Sequence, residues 1–201
     1  MHDDDFLGRE LSDEKIKALA ESWRRQLDIG DNASPDIVWS IEAAFSNKLP
    51  HSALIPQTEK ELPENLALTI YNPSRILVRE NVYLAARDGH PRARYILAHE
   101  FGHVVLHNEM PKSLKDTNQE RITLQNLKNM SIERQADTFA HFFLVPEDIA
   151  RKFHNLSRIV NECLVSVQFG QEAVRKYGLR QKRKLQPYEL EALYAAEREP
   201  F

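Results

Sequence analysis

Between residues 99 and 107 the chain reads HEFGHVVLH, three histidines and one carboxylate in nine residues. Imidazole nitrogens and carboxylate oxygens are the donors a divalent cation takes, and they are costly to bury without a partner. The flanking residues Ile96, Leu97, Ala98, Val104, Val105 and Leu106 are apolar, so the polar groups stand on a segment made to be packed. At about 100° per residue, with His99 at the origin, His103 falls near 40°, His107 near 80° and Glu100 near 100°. All four therefore share roughly one quadrant of a helix. His99 and His103, one turn apart, aim two ring nitrogens at one point about 2 Å away. Glu100 stands beside that point, in reach of a water held there but poorly placed as a ligand.

This is the HExxH pattern of zinc peptidases. A catalytic zinc keeps one position for water and needs a third protein ligand. A histidine ten positions beyond His99 would complete one known arrangement, but Glu109 stands there. A second helix must supply the ligand. The stretch SIERQADTFAHFFLVP offers Glu133 and, one turn on, Asp137. The glutamate would bind the metal, and the aspartate would accept the N–H from the far side of a ligating histidine, fixing its tautomer. His141 is the alternative third ligand, about 80° round the same helix from Glu133. His107 either hydrogen-bonds near the site or ends its helix. His2, His51, His90 and His154 read as surface residues.

The elements that must position these groups follow from pattern. Ser12, Asp13 and Glu14 open a helix with Ile16, Leu19, Ala20, Trp23 and Leu27 along one stripe. Ser34 as cap and Pro35 in the first turn start a second helix, which ends near Phe45. Residues 46–65 carry three prolines and read as loop. Two β-rich runs, 66–71 and 75–80, flank the turn cluster Asn72-Pro73-Ser74 and suggest an antiparallel pair. A short helix, a break at Gly89 and a long helix from Pro91 to His107 follow. Residues 109–130 read as a loop or loosely held lid. The next helix starts near Ser131 and stops at Pro146, and the tail 147–201 is mostly helical. Helices around a small sheet, without βαβ alternation, make the fold class α+β, mostly helical. Gly102, between the two histidines, leaves room for another backbone.

Composition bounds the rest. The chain has 201 residues, 42% hydrophobic and 28% charged, with net charge −3. That is ordinary globular composition, and the acidic balance argues against direct nucleic-acid binding. The single cysteine, Cys163, forms no internal disulfide and reads as a buried side chain. No basic-then-apolar leader opens the chain, and no apolar run approaches about 20 residues. A cytoplasmic protein, with no membrane partner, is expected.

The stretches RARYILAHEFGHVVLH and IERQADTFAHFFLVP resemble the ImmA/IrrE family of metallo-endopeptidases. Arg94, Ala98, His99, Glu100, Gly102, His103, Leu106 and His107 fit its first helix. Glu133, Ala136, Phe139, Ala140, Leu144 and Pro146 fit its second. The likeness covers about residues 82–179. Asp137 stands where the family has asparagine. The resemblance implies a zincin-like fold with a small antiparallel or mixed sheet beside the HExxH helix. It implies His99, His103 and Glu133 as metal ligands, Glu100 as catalytic base, and Asp137 and His107 around them. Residues 1–146 would form the metallopeptidase domain with its N-terminal helices, and 147–201 a helical, helix-turn-helix-like region. Family members cut a DNA-binding repressor or antitoxin, so the expected partner is such a protein. Zn2+ is the expected cofactor, with Mn2+ or another divalent ion also compatible with N/O ligands.

The expected chemistry is metal-assisted amide hydrolysis with Glu100 moving the proton. The peptide would align along the strand near 75–80 by backbone pairing. Two other functions compete. One is a non-enzymatic regulator that binds DNA or a repressor through Arg175, Lys176, Arg180, Lys182, Arg183 and Lys184. The other is a metal hydrolase acting on a non-peptide substrate.

Overall fold

A helix that carries its polar groups on one side needs an apolar side opposite, and Phe101 supplies it. Phe101 lies about 200° round from His99 and is fully buried. Its ring meets those of Trp23, Phe45, Phe139 and Phe143 at centroid distances of 5.5, 6.4, 5.7 and 5.7 Å, all edge-on. One residue of the HExxH segment thus anchors the core while His99 and Glu100 stay partly exposed.

The computed structural model describes residues 6–7, 9–107, 112–113, 131–180 and 185–196. In chain order the elements are β1 (Phe6–Leu7), α1 (Asp13–Gln26), α2 (Ile37–Asn47), β2 (Ala53–Gln57), β3 (Ala67–Ile70) and β4 (Arg75–Arg79). They continue with α3 (Glu80–Arg87), α4 (Pro91–Leu106), β5 (Lys112–Ser113) and α5 (Ile132–Leu144). Last come α6 (Glu147–Phe153), α7 (Leu156–Cys163), α8 (Val167–Lys176) and α9 (Pro187–Ala196). The fold is α+β and zincin-like: helices dominate, and a three-stranded mixed sheet lies against α4. The expectation for 109–130 lies outside the described residues, apart from β5, which pairs antiparallel with β1.

The sheet order is β2-β4-β3, with β2 parallel and β3 antiparallel to β4. The 66–71 and 75–80 pairing holds, with Leu68 opposite Leu77. The loop expected over 46–65 is corrected, because β2 occupies 53–57. Its segment ALIPQ shows no inside–outside alternation, and Pro56 hides it from pattern reading. Pro56 is tolerated because β2 is an edge strand. The remainder, 59–65, is held down by Arg79, whose guanidinium donates to the carbonyls of Leu62, Pro63 and Asn65. The peptide-pairing strand expected near 75–80 is also corrected: β4 is central, with both edges taken. Among the described residues, β3 is the strand beside α4 that keeps a free edge.

Helix starts follow capping chemistry. Ser12 caps α1 and Ser131 caps α5. At α2 the cap is Asp36 rather than Ser34: its carboxylate accepts from the Trp39 N–H at 3.0 Å. The Ser34 N–H instead donates to the Asn32 side chain at 3.0 Å, in a turn that precedes the helix. Gly89 has φ +86°, a left-handed turn that lets α3 end and α4 begin at Pro91.

Two buried arginines tie the layers together. Arg24 donates to the carbonyls of Phe143, Ile29, Gly30 and Asn32. Arg94, on α4, donates to Pro35 O at 2.6 Å and to the carbonyls of Leu164 and Cys163. Burial lowers the Arg94 pKa to about 10, still far above neutrality. Ile149, Ala150, Ile159, Cys163 and Tyr177 belong to the same buried cluster as Leu97 and Phe101. A smaller cluster joins α7, α8 and α9 through Leu156, Val160, Val167 and Leu193. Burial pushes the Cys163 thiol up to about 12, so it stays protonated. Among the described residues no helix is long and apolar enough to cross a membrane.

Candidate metal centre

The distance between α4 and α5 decides whether a second helix can reach the histidine pair. Gly102 sets it. A Cβ there would lie 3.1 Å from both Cα and O of Ala136 and 3.2 Å from Cβ of Phe139. The two helices therefore touch at backbone distance one turn above the place where Glu133 leaves α5.

The contact brings three donors together. His99 Nε2 lies 3.0 Å from His103 Nε2 and 3.2 Å from Glu133 Oε2, and His103 Nε2 lies 3.4 Å from Glu133 Oε1. Donors at about 2.0–2.1 Å from a tetrahedral zinc stand about 3.3 Å from one another. The two histidine nitrogens, 3.0 Å apart, are close to that spacing, and the Glu133 carboxylate brings one oxygen within 3.2 Å of the first and the other within 3.4 Å of the second. Among the described residues this is the one group of three or more such side chains with metal-ligand spacing. His141 is not part of it. It faces the other way, buried against the rings of Phe169 and Tyr177.

The outer contacts orient the donors. His99 Nδ1–H donates to Asp137 Oδ1 at 2.8 Å, and the Tyr95 hydroxyl donates to the same oxygen. That leaves His99 Nε2 with its lone pair toward the cluster when the ring is neutral. Tyr71 Oη lies 3.4 Å from His103 Nδ1, the long limit of a hydrogen bond. On the other side of the cluster, the Thr69 hydroxyl is 2.6 Å from Glu100 Oε2. Glu100 contributes no donor to the triad; its carboxylate is turned toward β3.

The charges are strongly coupled. Burial works against a charged His99, but hydrogen bonds to Asp137 and Glu133 raise its pKa to about 10. Hydrogen bonds from His103 and His99 hold Glu133 well below the usual carboxylate range. Burial alone would raise Asp137, yet its bonds from His99 and Tyr95 win and lower it.

His107 sits one turn beyond His103, its ring 5.9 Å away. Burial and the neighbouring His103 lower its pKa to about 4. Its hydrogen bond is to the backbone of Ile132, so it fastens the end of α4 to the residue before Glu133. His51 and His154 are exposed, whereas His90 is half-buried at the start of α4, a correction to its surface assignment: the turn at Gly89 folds it back. His2 lies outside the described residues.

Three residues in this site have no part in the pattern reading. Tyr95 had a signal, since it stands one turn before His99 on the same helical face. Thr69 and Tyr71 had none. Thr69 is in β3 and Tyr71 in the turn just after it, but nothing in the sequence links that strand to a helix thirty residues on.

The helical donor pair, the acidic third donor on a second helix and the flanking small sheet together define a metallopeptidase-type site in a zincin-like fold. The chain belongs to the IrrE N-terminal-like domain family, Peptidase_M78, whose model matches residues 58–176. The match begins before residue 82, so β3 and β4 are part of the shared unit although they carry no motif of their own. No curated protein and no solved structure matches the chain.

Proposed function

We propose that this protein is a zinc-dependent endopeptidase that cuts a partner repressor or antitoxin at a defined site. The observation that carries the reading is the three-donor cluster with the Glu100 carboxylate beside it, next to the free edge of β3. When bound, the divalent ion supplies Lewis-acid polarisation of the scissile carbonyl and makes a nearby water more acidic.

The chain's own groups do the rest. His99, His103 and Glu133 hold the ion, with His99 oriented by Asp137. Glu100 accepts the proton of the attacking water and delivers it to the leaving amine. Thr69 limits the positions its carboxylate can take. The free edge of β3 offers unpaired backbone groups to an extended segment of substrate. Leu68 and Ile70 are exposed on that strand, at 40% and 41%, and give apolar side chains of the substrate a surface. A folded repressor would have to present an extended linker to use such an edge.

The test is incubation of the purified, zinc-loaded chain with the repressor or antitoxin encoded beside it. One discrete cut is expected, lost in Glu100→Gln while zinc is retained. Cleavage at the wild-type rate by Glu100→Gln overturns the assignment of the base. No cut in any neighbouring regulator overturns the substrate class.

A further inference from the structure

Beyond the metal cluster lies a cavity of about 790 Å³ between the start of α4, the face of α5 that carries Arg134, Thr138 and His141, and α8. It reaches the pair of residues behind His99, because Tyr95 and Asp137 line it. Its volume is that of a small-molecule or side-chain pocket, far beyond what a single water fills.

The polar groups of its wall are unbalanced. Three carboxylates reach it, and each is engaged. Asp13 accepts from Arg134 Nη2 at 2.6 Å, Asp137 accepts from His99 and Tyr95, and Glu172 lies 3.8 Å from Arg175. The donors are not used up. Among the described residues Arg134 Nη1 is buried without a hydrogen-bond partner, and so are both ring nitrogens of His141, one donor and one acceptor in the neutral ring of a residue only 2% exposed. Lys176 lies over the Phe142 ring at 4.5 Å and has no carboxylate within ion-pair distance among the described residues. Burial and the charges of Lys176 and Arg175 lower the His141 pKa to about 3. Its ring is therefore neutral, with one N–H to give. Buried donors without acceptors cost free energy unless something supplies the acceptors.

We infer that this cavity is a binding pocket for an anionic oxygen group, a carboxylate or phosphate, with Lys176 and Arg134 as its charged contacts and His141 as its neutral donor. The shared chemistry has two sources: a free small anion, or an acidic side chain of the polypeptide being cut. Either would share the cavity with the Tyr95–Asp137 pair that lies behind His99. The second source rests on the peptidase reading above; the binding itself does not.

Calorimetric titration of the zinc-loaded full chain, as Glu100→Gln to prevent turnover, uses succinate and inorganic phosphate as probes and neutral succinamide as control. Binding of at least one anion at millimolar concentration is expected, with none by succinamide. The affinity should fall about tenfold or more in Lys176→Gln and in His141→Phe, the loss of one charge-assisted contact. It should be unchanged in Lys152→Gln, which removes an exposed charge elsewhere. His141→Phe fills the same space, and Lys176→Gln alters a half-exposed side chain, so one of the two folds even if the other does not. In parallel, active wild-type chain is given a peptide mixture. A preference for glutamate over glutamine near the cut, abolished by Lys176→Gln, identifies the substrate side chain as the source. Anion binding without that preference identifies a free anion. Absence of binding and of preference, or equal affinities in wild type and both pocket variants, overturns the pocket. Failure to cut any peptide in the mixture leaves the titration to decide the pocket alone, while the peptidase reading is decided by the cleavage test on the neighbouring regulator.

Discussion

Thr69 Oγ1 stands 2.6 Å from Glu100 Oε2 and 3.2 Å from the Glu100 backbone oxygen, joining the edge strand to the middle of the HExxH helix. The hydroxyl has one proton, and the shorter contact to a carboxylate is where it is held more strongly. A carboxylate that must collect a proton and return it gains from being confined. Thr69→Val removes the hydroxyl at nearly constant volume and is expected to lower kcat about tenfold, from the loss of one hydrogen bond to a charged group. KM and bound zinc should not change, and Thr69→Ser should restore the rate. Steady-state kinetics with metal analysis on both variants checks this. A kcat equal to wild type in Thr69→Val would show that the strand does not restrain the base.

Asp137 links the cluster to the cavity. Its Oδ1 takes the protons of both His99 Nδ1 and the Tyr95 hydroxyl. Asp137→Ala leaves the imidazole free to turn and is expected to weaken zinc binding about 10–100-fold. Asp137→Asn keeps an acceptor oxygen but loses the charge, and should fall between the two. Competition with a chelator of known affinity gives the order. Equal affinity in all three would mean that His99 is oriented by packing alone.

Much of this could be read from residue order, for a physical reason. Helical spacing is local, so His99, Glu100, His103 and Gly102 declare their geometry within one turn, and Glu133 and Asp137 do the same on α5. The meeting of the two helices is also foreshadowed, because a glycine between ligands has little other use. What stayed hidden is long-range. β2 carries a proline and no alternation, so its parallel pairing with β4 depends on tertiary packing. That pairing is why β4 is central and why the free edge belongs to β3. Thr69 and Tyr71 acquire roles only through that placement. His141, the alternative to Glu133 as third ligand, lies about 80° round the helix from it, and that offset is enough to turn it away from the cluster.

Proton and metal compete for His99. Its pKa in the metal-free protein is raised from 6.5 to about 10, against burial, by hydrogen bonds to Asp137 and Glu133. A group raised on folding stabilises fully below its unfolded pKa and loses that contribution as pH rises through the folded value. Glu133, lowered on folding, contributes above its own unfolded pKa and loses it as pH falls. The metal-free stability difference between wild type and Glu133→Gln should therefore shrink as pH rises from 6.5 to about 10. Zinc must displace the His99 proton over the same interval, so its affinity should rise about tenfold per pH unit and then level off. Chelator competition across that range, with proton release measured in two buffers, gives both slopes. A flat profile would mean that His99 is already neutral in the metal-free state.

The approach of the two helices is the most exposed part of the arrangement to a single substitution. Gly102→Ala adds one methyl that would meet Ala136 Cα and O at 3.1 Å and Phe139 Cβ at 3.2 Å. Two of these are backbone atoms and cannot rotate aside, so α5 must retreat by a few tenths of an ångström. Alanine has the better helix propensity, worth about 1 kcal/mol, and this opposes the overpacking cost of about 1–3 kcal/mol. The net loss of stability should therefore be about 0–2 kcal/mol, whereas the metal centre takes the whole displacement, because Glu133 rides on α5 and the histidines on α4. Gly102→Ala is expected to weaken zinc binding markedly while lowering Tm by no more than about 8 °C. Gly102→Val adds more bulk with a smaller gain in propensity and should lower both further. Thermal unfolding of the metal-free variants beside their zinc affinities separates the two effects. If Gly102→Ala bound zinc as tightly as wild type, the close contact would not be what sets the spacing of the donors.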